Sequence, residues 1–516
     1  GIRPLPHLET KFVSANTLIG LEKPQQLPLK NIEIAKKEEE LKKLRHKHFR
    51  VKRREEKQKI EDQYKKIKKE LVEILKKGGW NDKTAQNIVS FDPFDQNASV
   101  DWFDPEWMFG VTDGFDIVIG NPPYGDLLGK DVNKASKEFV EKHYKYSTLS
   151  DISSPFVEKG VNLLKEHGTL IYIITFAITF NKDFSNTRKL LRNSFERIEV
   201  LTFDRDKCDI FESMSQSVSI LKAFNYKAKE RKGFYTSRMF RSTPDFRNIE
   251  LSLADDYLLP IGANFSVPHR LPKLGEKINA EILKKLILNN KDKIEDILKK
   301  RNCTIWIRTS GNYWYNAWDR KPYESTEIKT ISVDKDYWDF LIVLMNSSLF
   351  YFWFRIYGDG RHMNLDILKE FRIPTKEVIL KYSILLKKAR KKLMESLFSV
   401  FDNQRKRFLT SNIKDQIDLA DFVLCKYLYG FDYNEILHIL DYDKEVRGGI
   451  CLNNSQNQSM TDQIVKLVDQ ILSIKKQNPD ADTSQLEKKI DQVVYNLYDL
   501  TQEEIQVIER GLDEQK

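Results

Sequence analysis

The sequence predicts an α/β fold. A partial doubly wound sheet carries an inserted helical arm and is followed by an α+β region and then by helices to the C-terminus. Three observations predict it. Between Phe115 and Leu221, short β-branched runs alternate with amphipathic stretches, the pattern of parallel strands joined by helices. From Ile32 to Lys77 there is neither Pro nor Gly, and Lys, Glu, Arg, Ile and Leu dominate, so this segment reads as one long helix or a helical hairpin. From Met460 to Glu514, apolar residues (Ile464, Leu467, Val468, Ile471, Leu472) recur at helical spacing.

A chain of 516 residues implies roughly three or four domains, and its 41% hydrophobic content is enough for proper cores. The net charge of +9 is modest for this length, so its distribution carries more information than its sign. Four cysteines (Cys208, Cys303, Cys425, Cys451) are scattered without a CxxC pair, which favours reduced thiols over a disulfide framework or a zinc site. No metal site is expected. No apolar run approaches the roughly 18 residues of a membrane span, and no signal peptide is recognised. The chain begins with Gly rather than Met, so it is expected to be a processed or engineered piece of something longer.

Taken in order, Phe12 to Asn16 reads as a short strand ending in a polar turn. The charged run 31–79 contains the basic stretch Lys47–Arg54. It is either a solvated helical insertion or an arm that contacts phosphates. Gly78-Gly79 closes it, and residues 80–113 read as loop-rich. Phe115 to Gly120 is a buried-strand pattern that runs into Asn121-Pro122-Pro123-Tyr124. Two consecutive prolines neither continue a helix nor donate to a sheet ladder, so the chain leaves the sheet in a stiff loop. Asp151 to His167 reads as a helix closed by Gly168, and Thr169 to Thr175 as a strand. A short basic helix over 187–193 and strands over 198–204 and 217–221 follow. The expected domains are 1–30 with 80–255, the insertion 31–79, an α+β domain at 256–378 and a helical region at 379–516.

An amide and an aromatic ring stand on the loop at the carboxyl end of the Phe115 strand, where open α/β sheets bind ligands. Asn-Pro-Pro-Tyr after such a strand resembles the catalytic motif of amino-methylating DNA methyltransferases. The exocyclic amine of a base is a poor nucleophile because its lone pair is delocalised into the ring. On this resemblance, Asn121 accepts one amine hydrogen through its side chain and Pro122 the other through its carbonyl, and Pro123 stiffens the loop. Tyr124 stacks on the flipped base. The competing reading is a proline turn with a surface tyrosine.

The likeness extends along the chain to the type IIG restriction-modification family, whose methylase half is an N6-adenine methyltransferase, and the sequence is similar to bacteriophage-exclusion methylases too. The resemblance implies a partial Rossmann-like methyltransferase sheet and S-adenosylmethionine as methyl donor. It sets Phe211 opposite Tyr124 as a base clamp and assigns Asn16 and Asp116 to the cofactor. It reads 256–378 as a target-recognition domain, double-stranded DNA as partner and the bacterial cytoplasm as location. Within that domain Arg308, Asn312, Tyr313, Arg361, His362 and Asn364 stand in glycine-marked loops and are candidates for reading DNA. The basic stretches Lys47–Arg54, Lys388–Lys392 and Arg405–Arg407 are candidates for phosphate. Oligomeric state and recognition sequence are not readable.

One departure is large. The family's glycine-rich cofactor loop, Asp-Pro-x-x-Gly-x-Gly, does not precede Asn121, nor does an acidic residue placed for the cofactor ribose. The chain is therefore expected to begin after the first two strands of the sheet, without a nuclease ahead of them, and to bind S-adenosylmethionine weakly or not at all. The alternatives are a non-catalytic DNA-recognition module and a protein-glutamine methyltransferase. N4-cytosine methylation is a close chemical variant of the adenine reading.

Overall fold

A computed structural model describes residues 11–22, 32–95, 97–126, 134–204, 211, 216–225, 233–240, 258–261, 270–298, 303–310, 317–446 and 460–513. Chain contacts divide it into two units, 1–175 with 183–198 and 220–233, and 176–182 with 199–219 and 234–516. Six strands form one mixed sheet: β3 (Phe115–Gly120), β4 (Leu164–Thr175), β5 (Arg197–Phe203), β6 (Val218–Phe224), β7 (Gly233–Phe240) and β8 (Leu259–Pro260). β3 lies at one edge and β8 at the other. The expected parallel sheet is thus a mixed one. β7 and β8 pair antiparallel, and Pro260, which has no N–H to donate, sits on the edge strand.

In the first unit, β1 (Ser14–Ala15) pairs in parallel with β2 (Ser99–Val100). Between them the Pro-free, Gly-free run folds as a hairpin of α1 (Ile32–Arg50) and α2 (Arg54–Lys77). Leu41 and Leu44 on α1 and Ile60, Tyr64, Ile67, Leu71 and Leu75 on α2 bury a common stripe. The hairpin is not purely solvated. Arg45 is buried and donates to the carbonyls of Trp107 (2.7 Å) and Met108 (3.1 Å). Buried Lys68 donates to the Phe91 carbonyl, and burial lowers its pKa to about 7. The segment expected to be loop-rich contains α3 (Asp82–Ser90), whose first turn is capped by the Asn81 side chain on the Thr84 amide at 2.7 Å.

β3 pairs in parallel with β4, Gly120 opposite Tyr172. The helix expected over 151–167 is shorter. α4 is Lys134–His143 and α5 is Ser153–Asn162, after which the chain is already β at Leu164. Gly168 therefore lies inside β4 rather than closing a helix; a Cβ there would meet the Phe115 carbonyl at 2.9 Å. Gly114 sits at φ +88, and a Cβ would come within 2.8 Å of the Leu164 backbone, so this turn into β3 requires glycine. α6 (Ser185–Ser194) contains the expected basic helix.

In the second unit, α7 (Lys277–Asn289) precedes a three-stranded antiparallel sheet of β9 (Cys303–Arg308), β10 (Ala317–Trp318) and β11 (Ile328–Val333). The apolar helices α8 (Lys335–Met345) and α9 (Ser348–Tyr357) are buried in its core. Among the described residues no single helix is long and apolar enough to cross a membrane. Helices then dominate to the C-terminus, among them α10 (Ser383–Ser399), α11 (Lys414–Val423) and α12 (Ser484–Leu497).

Candidate active site and nucleic-acid interface

β3 delivers Asn121-Pro122-Pro123-Tyr124 at its carboxyl end. Asn121 and Pro123 are exposed and Pro122 is buried. The Tyr124 hydroxyl donates to the side-chain oxygen of Asn121 and has the Ile173 carbonyl of β4 as a second acceptor at 3.3 Å. Burial, with the nearby Asp151 carboxylate, raises the Tyr124 pKa, so the hydroxyl keeps its proton at neutral pH. The loop is closed from the other side by the Ile152 amide on the Gly125 carbonyl at 2.7 Å. Asp151 holds this corner. Its carboxylate accepts from the Ser153 amide (2.9 Å) and hydroxyl (2.6 Å) at the start of α5. Burial raises the Asp151 pKa despite those bonds. Sequence reasoning missed this residue. Its signal was an Asp two residues before a Ser at a helix start, a pattern shared by many ordinary helix starts.

Beneath the loop, Tyr172 packs on Gly120, where an added Cβ would lie 3.2 Å from the ring. Burial pushes the Tyr172 hydroxyl up to about 12. β3 exposes two large side chains, Ile117 at 61% and Ile119 at 74%. Among the described residues β3 pairs with β4 alone.

The two residues expected to hold the methyl donor have other partners in this structure. Asn16 spends its side chain locally, the oxygen on the Leu18 amide at 3.2 Å and the nitrogen on the Ser136 hydroxyl of α4 at 2.9 Å. Asp116 is at the amino end of β3, away from Asn121. It is exposed and pairs with Lys165 at 2.8 Å, which lowers its pKa. Both side chains are thus engaged by partners within the chain. Among the described residues no cluster of three His, Cys, Asp or Glu side chains is placed to hold a metal ion. Phe211 is 37% exposed.

In the second unit, two loops that are far apart in sequence meet. Ser310 and His362 form an antiparallel bridge, and the Met363 amide donates to the Thr309 carbonyl at 3.0 Å. Arg308, expected in a loop, is instead the last residue of β9, opposite Ile328 of β11, two residues before the Ser310 bridge to His362. Arg308 pairs with Glu327 at 3.4 Å, while His362 and Asn364 are exposed. Asn312 and Tyr313 lie outside the described residues. Of the basic stretches, Lys388–Lys392 is largely spent on packing. Lys388 binds Glu504 (2.6 Å), Arg390 binds Asp319 (2.8 Å) and Lys392 binds the Leu497 carbonyl (2.6 Å). Arg405 and Arg407 lie 4.0 and 3.9 Å from Asp402.

The family described as Eco57I restriction-modification methylase matches residues 24–211, a span that includes the α1–α2 hairpin. The type II restriction enzyme and methyltransferase RM.Eco57I of Escherichia coli is 24% identical over 208 residues, 39% of this chain and 19% of its own length. The type II methyltransferase M.BstVI of Geobacillus stearothermophilus is 27% identical over 155 residues, 27% of this chain and 26% of its own. The chain thus matches about a fifth to a quarter of the length of these curated relatives. The type IIL restriction-modification enzyme MmeI, solved in complex with DNA, aligns at 11% identity over 65% of this chain and 55% of its own, with a TM-score of 0.36. On the family match and these relatives, residues 24–211 are an Eco57I restriction-modification methylase domain.

Proposed function

We propose that the chain is the base-binding and DNA-reading part of a DNA methyltransferase of a restriction-modification system, acting on adenine N6. The observation that supports this most is Asn121. Its amide oxygen stands on a proline-stiffened loop at a strand's carboxyl end, already engaged by a hydroxyl hydrogen from Tyr124. An oxygen that accepts the Tyr124 hydrogen can equally accept one from a base amine.

An adenine flipped from the duplex takes the hydroxyl's place on Asn121 and gives its second amine hydrogen to the Pro122 carbonyl. Two accepted hydrogens draw the nitrogen out of conjugation and toward a nucleophilic geometry. The Tyr124 hydroxyl retains the Ile173 carbonyl as its acceptor, and its ring stacks on the base. The edge of β11, the end of β9 at Arg308 and the Arg361–Asn364 loop read the duplex. S-adenosylmethionine is the donor that the family implies, and weak binding of it by these residues is expected.

The test is to incubate the protein with unmethylated genomic DNA and millimolar S-adenosylmethionine, then separate the nucleosides by mass spectrometry. N6-methyladenine is the expected product. N4-methylcytosine in place of N6-methyladenine overturns the adenine assignment.

A further inference from the structure

The loop Gly358–Asn364 is built to hold one exposed histidine still. Asp359, only 14% exposed at its side chain, accepts from His362 Nδ1 at 2.8 Å through one carboxylate oxygen. Its other oxygen accepts from the amides of Arg361 (2.8 Å) and His362 (2.7 Å). Behind the loop, fully buried Lys273 donates to the Gly358 carbonyl at 3.0 Å. Gly360 adopts φ +79, and a Cβ there would lie 2.6 Å from buried Arg355. The bridge to Ser310 fixes the far side. The His362 side chain itself is 64% exposed. An outward-facing ring restrained on three sides costs conformational entropy and contributes little to the core, which suits recognition better than packing.

A carboxylate has no hydrogen to give, so the His362–Asp359 bond requires the proton on Nδ1. The neutral ring then presents Nε2 to solvent as an acceptor. We propose that Asp359 is a positioning residue that fixes this tautomer, so that His362 reads a base amino group, adenine N6 or cytosine N4, in the major groove. The inference rests on the DNA-reading role proposed above. Only those two bases offer a donor on that side of the duplex; guanine and thymine offer acceptors there.

Asp359→Asn inverts the readout with minimal change of shape. The asparagine oxygen keeps the two backbone amides, while its NH2 donates to Nδ1 and moves the ring proton to Nε2. Nitrogen-15 spectra of histidine-labelled full chain at pH 8, with His362 assigned by His362→Gln, report the tautomer without DNA. Selection from a randomised duplex library reports the base. The expected result is an Nδ1–H ring and one position of adenine or cytosine in the wild type. In Asp359→Asn the result is an Nε2–H ring and a shift of at least tenfold toward guanine or thymine at that position alone. An unchanged ring state, or a changed ring with an unchanged preferred sequence, overturns the role of Asp359 while leaving the DNA reading intact. A wild type that selects no sequence overturns both.

Discussion

The Tyr124 hydroxyl donates its hydrogen to the side-chain oxygen of Asn121, the acceptor that a base amine would need. The two functional groups of the motif thus satisfy each other, and on the proposed function a base separates them. An exposed amide oxygen on a rigid loop would otherwise be hydrated; on the proposed function, Tyr124 is a built-in stand-in for the amine.

Tyr124→Phe removes the stand-in and keeps the ring. Methyl transfer to DNA is expected to stay within about threefold of wild type, since the hydroxyl leaves Asn121 before reaction in either case. Tyr124→Ala also removes the stacking surface, which is worth about 1–3 kcal/mol per base, and is expected to cost roughly 10- to 100-fold. Equal losses in the two variants would place the contribution in the hydroxyl instead. The measurement is initial rate at saturating DNA.

Ile117 and Ile119 are the most exposed large side chains of β3, on a strand that pairs on one side only among the described residues. Exposed apolar edge strands invite association. Ile117→Thr with Ile119→Thr is expected to shift sedimentation velocity toward smaller species. Its effect on urea unfolding should be under about 1 kcal/mol, as for surface positions. A destabilisation above about 2 kcal/mol would mean the two side chains are packed.

Asp421 on α11 accepts from the amides of Ser348 (3.0 Å) and Leu349 (3.2 Å) at the start of α9, and burial raises its pKa to about 7. The folded carboxyl binds its proton more tightly than the unfolded one. Its stabilising effect is therefore complete below the unfolded value of 3.8 and declines as pH rises toward about 7. The loss is about 4 kcal/mol, from roughly three pKa units. Asp421→Asn cannot ionise and should remove that slope. Urea unfolding at pH 5 and pH 8 checks it, and parallel pH profiles for the two proteins would refute the assignment.

Legibility in the sequence followed the range of the interactions. β3 and its proline loop were readable because an apolar run, a glycine and two prolines leave the backbone few options, but the buried strand expected there exposes Ile117 and Ile119. The hairpin was readable from the lack of Pro and Gly over 32–77, but its buried Arg45 and Lys68 were not. Their partners, the carbonyls of Trp107, Met108 and Phe91, are 62, 63 and 23 residues away. The start of β4 was misread because Leu163-Leu164-Lys165-Glu166 continues a helical pattern, and only pairing with Phe115 makes it a strand. In the second unit, the residues suspected of reading DNA were named singly. Ser310 opposite His362 is a tertiary fact that no spacing announces, and nothing in the run Gly358-Asp359-Gly360 marks Asp359 as the partner of His362.

The most direct measurement is methyl transfer by Asn121→Ala against wild type, with unmethylated DNA and millimolar S-adenosylmethionine, quantified as N6-methyladenine. Loss of one preorganised hydrogen-bonding group at a reacting centre costs about 100- to 1,000-fold. A loss of that size, with DNA affinity unchanged, is the predicted result. Equal N6-methyladenine from both proteins would contradict the role given to Asn121.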